Sequence, residues 1–162
     1  SRFDRDSKTT RLKKYLDRFL FSIDSSHEID IYLYGNGILY KNFPNFINYP
    51  NVNFHLKGWS KKLIFDMNIS DYIICEGEGE TFHLISALSI YYKFPLINLS
   101  SIHPLNNYIN KPIFSYYEYV NKFNSNFTEF CISVNKRSKD TYFLEDISSE
   151  NYLKSFLSFF NI

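Results

Sequence analysis

The sequence predicts an α/β fold built on a parallel sheet with helices on both faces. Three features lead to this prediction: short apolar segments rich in β-forming residues, helical segments between them, and a length that suits a single domain. The chain has 162 residues, enough for one hydrophobic core and too few for two full-sized domains. Hydrophobic residues make up 44% of it and charged residues 22%, which excludes a disordered chain.

The first hundred residues carry the clearest pattern. Residues 9–25 form a predicted amphipathic helix, because leucines and aromatic residues recur there at helical spacing with charged residues between them. Alternating strands and helices joined by short turns favour right-handed crossovers, and therefore a Rossmann-like parallel sheet. The predicted elements are a helix at 9–25, strands at 29–34 and 52–56, a helix at 60–68 with Ser60 as its N-cap, a strand at 71–75, a helix at 81–92 and a strand at 94–99.

The pattern in the rest of the chain is weaker. The predicted elements there are a short helix at 103–110, an edge strand at 127–134 and a turn at 138–140. Ser148 or Ser149 caps a predicted closing helix whose apolar face consists of leucines and aromatic residues. We therefore expect one Rossmann-like domain over residues 1–162, with its core in 1–100 and a C-terminal extension in 101–162.

Charge and cysteine content exclude several classes of protein. The formal net charge is +1, so no whole-domain field attracts nucleic acid or an anionic membrane. Cys75 and Cys131 each lie in an apolar segment, which favours two buried thiols over a disulfide or a ligand pair. The histidines lack metal-ligand spacing, and no metal is expected. No apolar run is long enough to span a bilayer and no signal peptide opens the chain, so we expect a cytoplasmic protein.

Ligands of open parallel sheets bind outside the carboxyl ends of the strands, near helix N-termini. Residues 1–8, 58–60 and 76–82 qualify by this position, and the last segment is the most informative. Its two glycines let the backbone approach a ligand, while its three glutamates repel a bare phosphate and suit sugar hydroxyls. The alternative is that Glu78 and Glu80 only complement the dipole of the helix that follows them.

Several segments follow one another in an order that is known from one group of enzymes. They are Arg2 with Lys8, and residues 34–37, 57–59, 70–72, 76–82 and 94–96. This succession resembles the C-terminal, donor-binding domain of two-domain (GT-B) glycosyltransferases, most nearly the retaining family four, over residues 1–100. The resemblance implies one half of a GT-B fold, a nucleotide-sugar donor such as a UDP-sugar, no metal or other cofactor, and a missing N-terminal Rossmann-like domain as partner.

The resemblance also implies a role for each group of residues. Glu80 aligns with the glutamate that contacts hydroxyls of the donor sugar, and Arg2 and Lys8 align with basic residues that neutralise the departing diphosphate. Arg2 and Lys8 fit equally well in a solvated loop that caps a helix. Trp59 stacks on the nucleotide base or, as the alternative, anchors the core. The donor-binding residues implied in this way are Gly58, Trp59, Glu76, Gly77, Gly79, Thr81 and Phe82.

One position departs from the family pattern. The family's second glutamate, which holds the ribose, falls on Leu88, or on Leu84 if the alignment starts from Glu76. A leucine cannot accept a ribose hydroxyl, and an unpaired polar group of the ligand costs on the order of 1 to 3 kcal/mol. Either other residues of the domain bind the donor, or the domain has lost its catalytic activity. Because such enzymes carry out glycosyl transfer in the cleft between two domains, the donor half alone is not expected to catalyse that reaction.

Three functions follow from the sequence. The first is the donor domain of a retaining glycosyltransferase. The second is a catalytically degenerate glycosyltransferase-like subunit that binds carbohydrate or partner proteins in export of a glycosylated adhesin, as the glycosyltransferase-like subunits of bacterial accessory secretion systems do. For either function the location is the cytoplasm, with the membrane surface as the alternative. The third is a Rossmann-like interaction module, favoured if the many tyrosines and phenylalanines form an exposed patch.

Overall fold

The computed structural model describes residues 6–46, 48–78, 84–107 and 113–139, which form a mixed α/β fold. The helices are α1 (Asp6–Phe21), α2 (Leu63–Asn68), α3 (Leu84–Tyr91), α4 (Tyr116–Lys122) and α5 (Phe127–Ser138). The strands are β1 (Ile29–Tyr34), β2 (Val52–Gly58), β3 (Ile73–Cys75) and β4 (Leu96–Asn98), with short 3₁₀ helices at Phe43–Phe46 and Pro104–Asn107. The predicted α/β class is confirmed, while the predicted closing helix lies outside the described residues.

The described strands form two parallel pairs. β1 pairs with β2, with Ile29 opposite Val52, and β3 pairs with β4, with Ile73 opposite Leu96. The parallel direction inferred from the alternation of strands and helices is thus confirmed for each pair. In the described part of the chain the pairs are separate two-stranded sheets, and they do not join into one continuous sheet.

The first hydrophobic core lies under α1. The buried residues of this helix recur at helical spacing, as the sequence predicts, while Lys14 and Arg18 are exposed. The same core contains residues of β1, β4, α4 and α5, so one core connects α1 with both strand pairs. Its members include Leu16, Phe19, Leu20, Ile23, Ile31, Leu33, Ile97, Leu99, Phe114, Tyr119, Phe130 and Val134.

A second core lies on the other side of β3 and β4, under α2 and α3. Ile73 and Cys75 of β3 belong to this second core, whereas Ile74 packs against the first core. β3 is therefore covered on both faces, as its apolar sequence predicts. β1 is covered on one face, because its alternate residues Asp30 and Tyr32 are exposed.

Aromatic side chains join the helices of the first core. Tyr119 is fully buried, and its hydroxyl oxygen lies 2.7 Å from the carbonyl oxygen of Ser22 and 2.9 Å from that of Ser125. Its ring packs against Phe19 and Phe130, with centroid separations of 5.8 and 5.1 Å. These contacts hold the end of α1 against α4 and α5.

The predicted edge strand at 127–134 is wrong, because this segment forms the first part of α5. Asn126 caps the helix by accepting a hydrogen bond from the Glu129 N–H at 3.1 Å. Phe130 and Val134, four residues apart, are both buried in the first core. The buried residues of this apolar run therefore lie on one face of a helix. Their helical spacing is hard to recognise in the sequence, because the β-branched residues of the run favour a strand.

Two other helices differ from the prediction, one in where it begins and one because it was not predicted. α2 begins later than predicted, with Lys62 at its N-cap and no side-chain capping bond. Ser60, the predicted cap, instead donates a hydrogen bond to the carboxylate of Asp66. α4 was not predicted and begins with a capping box, in which the Ser115 hydroxyl accepts the Glu118 N–H and the Glu118 carboxylate accepts the Ser115 N–H.

Replacing Asn126 with alanine should lower the free energy of unfolding by about 1 kcal/mol, because the Glu129 N–H then loses its capping acceptor. Chemical denaturation of the two proteins measures this difference. Asn126→Asp is the control, since aspartate caps a helix about as well as asparagine does. An Asn126→Ala protein as stable as the unsubstituted one would contradict the assignment of this cap.

Candidate functional site

The first turns of α1 meet the carboxyl end of β3. Nε of Arg11 in α1 lies 3.7 Å from Oε2 of Glu76, and the Tyr15 hydroxyl donates a hydrogen bond to the carboxylate of Glu78. The chain returns from the far end of α1 into β1, so α1 runs antiparallel to β1 and begins at the carboxyl edge of the strands. This is the edge at which parallel sheets bind ligands.

Glu76 is a buried carboxylate with one unpaired oxygen. The residue is 5% exposed, and its Oε1 accepts the Glu78 N–H at 2.8 Å. Among the described residues, neither Oε2 of Glu76 nor Nε of Arg11 has a hydrogen-bond partner, and their separation of 3.7 Å is too long for a hydrogen bond. Burial raises the pKa of Glu76, while the charges of Arg11 and Lys8 act in the opposite direction.

Two cations of α1 lie near this carboxylate, as does the carboxylate of Glu78. Lys8, Arg11 and Tyr15 are spaced three and four residues apart, so they share one face of α1. Lys8 lies in the first turn of the helix, where the helix dipole is also positive. The site therefore offers an acceptor oxygen beside cationic groups, an arrangement that suits a ligand with both hydroxyl and anionic groups.

His103 closes the Gly77 side of the loop that follows β3. A Cβ at Gly77 would lie 2.5 Å from Cδ2 of His103, so no side chain fits there. The histidine ring thus gives this position its own reason to be a glycine, while the close approach of a ligand to the backbone stays a prediction. The Gly77 N–H donates to Oδ1 of Asn98 at 3.2 Å and is thereby tied to the end of β4.

The polar side chains behind this loop form hydrogen bonds with one another. Nδ1 of His103 accepts the Leu105 N–H at 3.2 Å, so Nε2 of the neutral ring carries the hydrogen and donates it to Oγ of Ser86 at 2.9 Å. Ser86 in turn donates to Sγ of Cys75 at 3.3 Å. Because histidine donates to serine here, the pair is not a nucleophile with a general base. Burial raises the pKa of Cys75 to about 12, which keeps it a neutral thiol.

Asn98 holds together the loops that follow β3 and β4. Its side-chain amide donates to the carbonyls of Ser100 and Ile102 at 2.7 and 3.1 Å, while its Oδ1 accepts the Gly77 N–H. The residue is 1% exposed. Sequence reasoning did not single it out, although a lone amide at the end of an otherwise apolar strand was a visible signal.

Gly58 and Trp59 end β2 and begin the next loop. Gly58 has a φ of +69°, its N–H donates to the Tyr40 hydroxyl at 2.6 Å, and its carbonyl accepts the Gly35 N–H at 2.8 Å. This left-handed backbone favours glycine. Trp59 is 61% exposed, so it does not anchor the core and its ring is open to stacking.

The two positions that align with the family's ribose-binding glutamate belong to the second core. Leu88 is 1% exposed within that core, and Leu84 packs against it. Neither side chain offers a polar group to a ligand. Binding of a ribose at this place would require other residues.

The structure brings together part of the predicted site. Lys8 and Glu76 lie close enough for the lysine charge to lower the pKa of the carboxyl group. Arg11 and Tyr15 were missed, although their spacing from Lys8 was readable in the sequence. The predicted residues that lie outside the described part of the chain are Arg2, Gly79, Glu80, Thr81 and Phe82.

Three further expectations concern a metal site, a membrane-spanning helix and the cysteines within the described ranges. There, no group of three or more His, Cys, Asp or Glu residues could hold a metal ion. No helix in that part of the chain is both long enough and apolar enough to cross a membrane. Both cysteines are free, and Cys75 is buried as predicted, whereas Cys131 is only partly buried.

The raised pKa of Glu76 predicts a pH dependence of stability. The folded protein binds the Glu76 proton more tightly than the unfolded chain does, so this residue lowers stability as the pH rises from 4.5, the ordinary pKa, through the folded-state pKa. The free energy of unfolding of Glu76→Gln, measured between about pH 4 and pH 8, should lack this decline. Glu28→Gln, which removes an exposed carboxylate, is the matched control. Parallel pH curves for Glu76→Gln and the unsubstituted protein would rule out a raised pKa.

Comparison with known proteins identifies no relative of this chain. No family model matches the sequence, and neither a curated protein nor a solved structure does. An inference about function must therefore come from the chain's own residues. The group that carries it is Glu76 with Arg11, Lys8 and Tyr15.

Proposed function

We propose that this chain is the donor-binding domain of a glycosyltransferase-like protein and binds a nucleotide-activated sugar where α1 meets the end of β3. The observation that carries the proposal is the unpaired Oε2 of buried Glu76 beside the unpaired Nε of Arg11. A sugar hydroxyl that donates to this oxygen would remove the penalty of a buried, unpaired acceptor, on the order of 1 to 3 kcal/mol. The sequence resemblance to glycosyltransferase donor domains leads to the same loop.

The diphosphate of such a donor suits the cationic side of the site. Arg11 and Lys8 lie near Glu76 at the positive end of α1. Hydrogen bonds from charged groups to phosphate oxygens are shorter and stronger than neutral ones. In this arrangement Glu76 orients the sugar, while the cations stabilise the negative charge of the diphosphate. Trp59, exposed at the end of β2, offers a ring on which the base stacks.

The proposal extends to the setting of the domain. A Rossmann-like sheet with helices on both faces would be one half of a GT-B fold, and a second Rossmann-like domain would supply the acceptor side of the cleft. Such a protein would work in the cytoplasm, as a soluble enzyme or at the membrane surface.

Binding without turnover is the second candidate function. It is favoured by Leu88, which is buried in the second core at the position where the family carries its ribose-binding glutamate. A degenerate subunit of this kind would recognise carbohydrate or partner proteins with the same scaffold, as in export of a glycosylated adhesin. The third function from the sequence, a Rossmann-like interaction module, stays a prediction. The exposed aromatic residues in the described part of the chain come from different elements. They are Phe21, Tyr32, Trp59, Phe65, Tyr91 and Tyr117.

Calorimetric titration of the full-length protein with UDP and UDP-sugars tests donor binding. Arg11→Ala and Glu76→Gln should each weaken binding of the UDP-sugar by roughly tenfold to a hundredfold, because each removes one charge-assisted hydrogen bond. Glu76→Gln should weaken UDP-sugar binding more than UDP binding, since Glu76 is assigned to the sugar. Arg11→Ala should weaken both, since Arg11 is assigned to the diphosphate.

Matched controls separate binding from folding. Arg18→Ala removes an exposed cation from the same helix, and Glu28→Gln removes an exposed carboxylate; neither should change the affinity. Thermal unfolding checks that every variant is folded. Absence of heat with every UDP-sugar, or equal affinities in all variants, would refute the donor site. Binding by the full-length protein without hydrolysis or transfer of the sugar would select the second candidate over the first.

A further inference from the structure

A groove of about 310 Å³ lies between α4 and α5. Small-molecule sites have volumes of roughly 300 to 1,000 Å³, so this groove has room for one small ligand. Residues of the two helices and the residues that flank α4 line it, whereas the proposed donor site lies at α1 and the loop after β3. The groove therefore shares no residue with the donor site, and its chemistry can be considered by itself.

Positive charge exceeds negative charge along this groove. Lys136 and Arg137 lie in the last turn of α5, and Lys122 lies in the last turn of α4. The one carboxylate among the described residues that line the groove is that of Glu118. Three cations against one carboxylate leave an excess of two positive charges. A phosphate monoester carries a charge of roughly −1.5 to −2 near pH 7, which complements this excess.

The carboxylate of Glu118 is engaged by its own neighbours. Its Oε2 accepts the Ser115 N–H at 3.2 Å, and its Oε1 accepts a hydrogen bond from Nζ of Lys122 at 2.9 Å. Nη1 of Arg137 lies 4.0 Å from the same Oε1. The side chain of Glu118 is 9% exposed, whereas that of Lys122 is 66% exposed and that of Arg137 25%. The exposed charge of the groove is therefore positive.

Aromatic rings give the groove an apolar part. Cζ of Arg137 lies 3.8 Å from the centroid of the Phe114 ring, and this cation–π contact holds the guanidinium in place. Phe123 is partly exposed, and its ring centroid lies 6.1 Å from that of Phe114. Ser133 precedes Lys136 and Arg137 by three and four residues, so its hydroxyl lies on the same face of α5. The groove thus combines cations, a hydroxyl and aromatic surface.

We propose that this groove binds a small phosphate monoester that carries an aromatic group. The phosphate would accept hydrogen bonds from Lys136 and Arg137, and charge-assisted bonds of this kind are stronger than neutral ones. An ammonium group has three N–H donors, so Lys122 can bind Glu118 and the phosphate at once. The aromatic group of the ligand would pack against Phe123. The domain would then have a second ligand site, separate from the one that holds the nucleotide sugar.

Titration of the full-length protein with phenyl phosphate, followed by backbone NMR shifts, tests this inference. The amides of Ser133 and Lys136 should shift as the groove fills. Lys136→Gln should weaken binding roughly tenfold, because it removes one charge-assisted hydrogen bond. Lys136→Arg keeps the charge and should bind about as well as the unsubstituted protein. Lys139→Gln, which removes an exposed cation of α5 outside the groove lining, is the matched control and should not change the affinity.

Inorganic phosphate separates the two parts of the ligand. It should bind roughly tenfold more weakly than phenyl phosphate, because it has no apolar surface to bury against Phe123. Equal affinities for the two probes would overturn the inference, and so would equal affinities of Lys136→Gln and the unsubstituted protein.

Arg11→Ala distinguishes this site from the donor site. It should leave phenyl phosphate binding unchanged, because Arg11 is not among the residues that line the groove. Loss of phenyl phosphate binding in Arg11→Ala, with shifts confined to the start of α1, would place the phosphate in the donor site and refute a second one. A failure of UDP-sugar binding leaves the phenyl phosphate result unaffected, so the two proposals fail separately.

Discussion

The packing of α1 across both strand pairs is the constraint on which the rest of the structure depends. Its apolar face buries Leu16, Phe19 and Leu20 against residues of β1 and β4. Each such side chain contributes about 1.5 to 3 kcal/mol when it is fully buried. The same packing sets where the helix begins, and so places Arg11 beside Glu76. Without α1, this core would lose these three side chains and the buried carboxylate its neighbouring Arg11.

Two sets of buried polar groups lie behind the carboxyl ends of β3 and β4, and they differ in one respect. Asn98, Ser86 and His103 pair with one another or with backbone groups, and they hold the loops in place. Glu76 and Arg11 lie at the same edge, yet Oε2 of the first and Nε of the second, 3.7 Å apart, each lack a hydrogen-bond partner among the described residues. A paired network makes a loop rigid, whereas unpaired groups next to it leave hydrogen bonds for a ligand to complete.

Much of the local structure could be predicted from the sequence. The bounds of β1 agree with the prediction, and the parallel pairing follows from the rhythm of strands and helices. The prediction was wrong at α5, because β-branched residues favour a strand while the burial of Phe130 and Val134 follows a helical period. Propensity is a weak guide where a tertiary contact decides which residues are buried.

The sequence by itself determined the α/β class, the amphipathic face of α1 and the parallel direction of the strands, because periodicity and turn residues act over a few neighbouring positions. Only the tertiary structure decided that Arg11 reaches Glu76, that Leu88 lies in the core, and that the described strands form two separate pairs. Each of these depends on how elements far apart in the chain pack together, and no local pattern of residues records that packing.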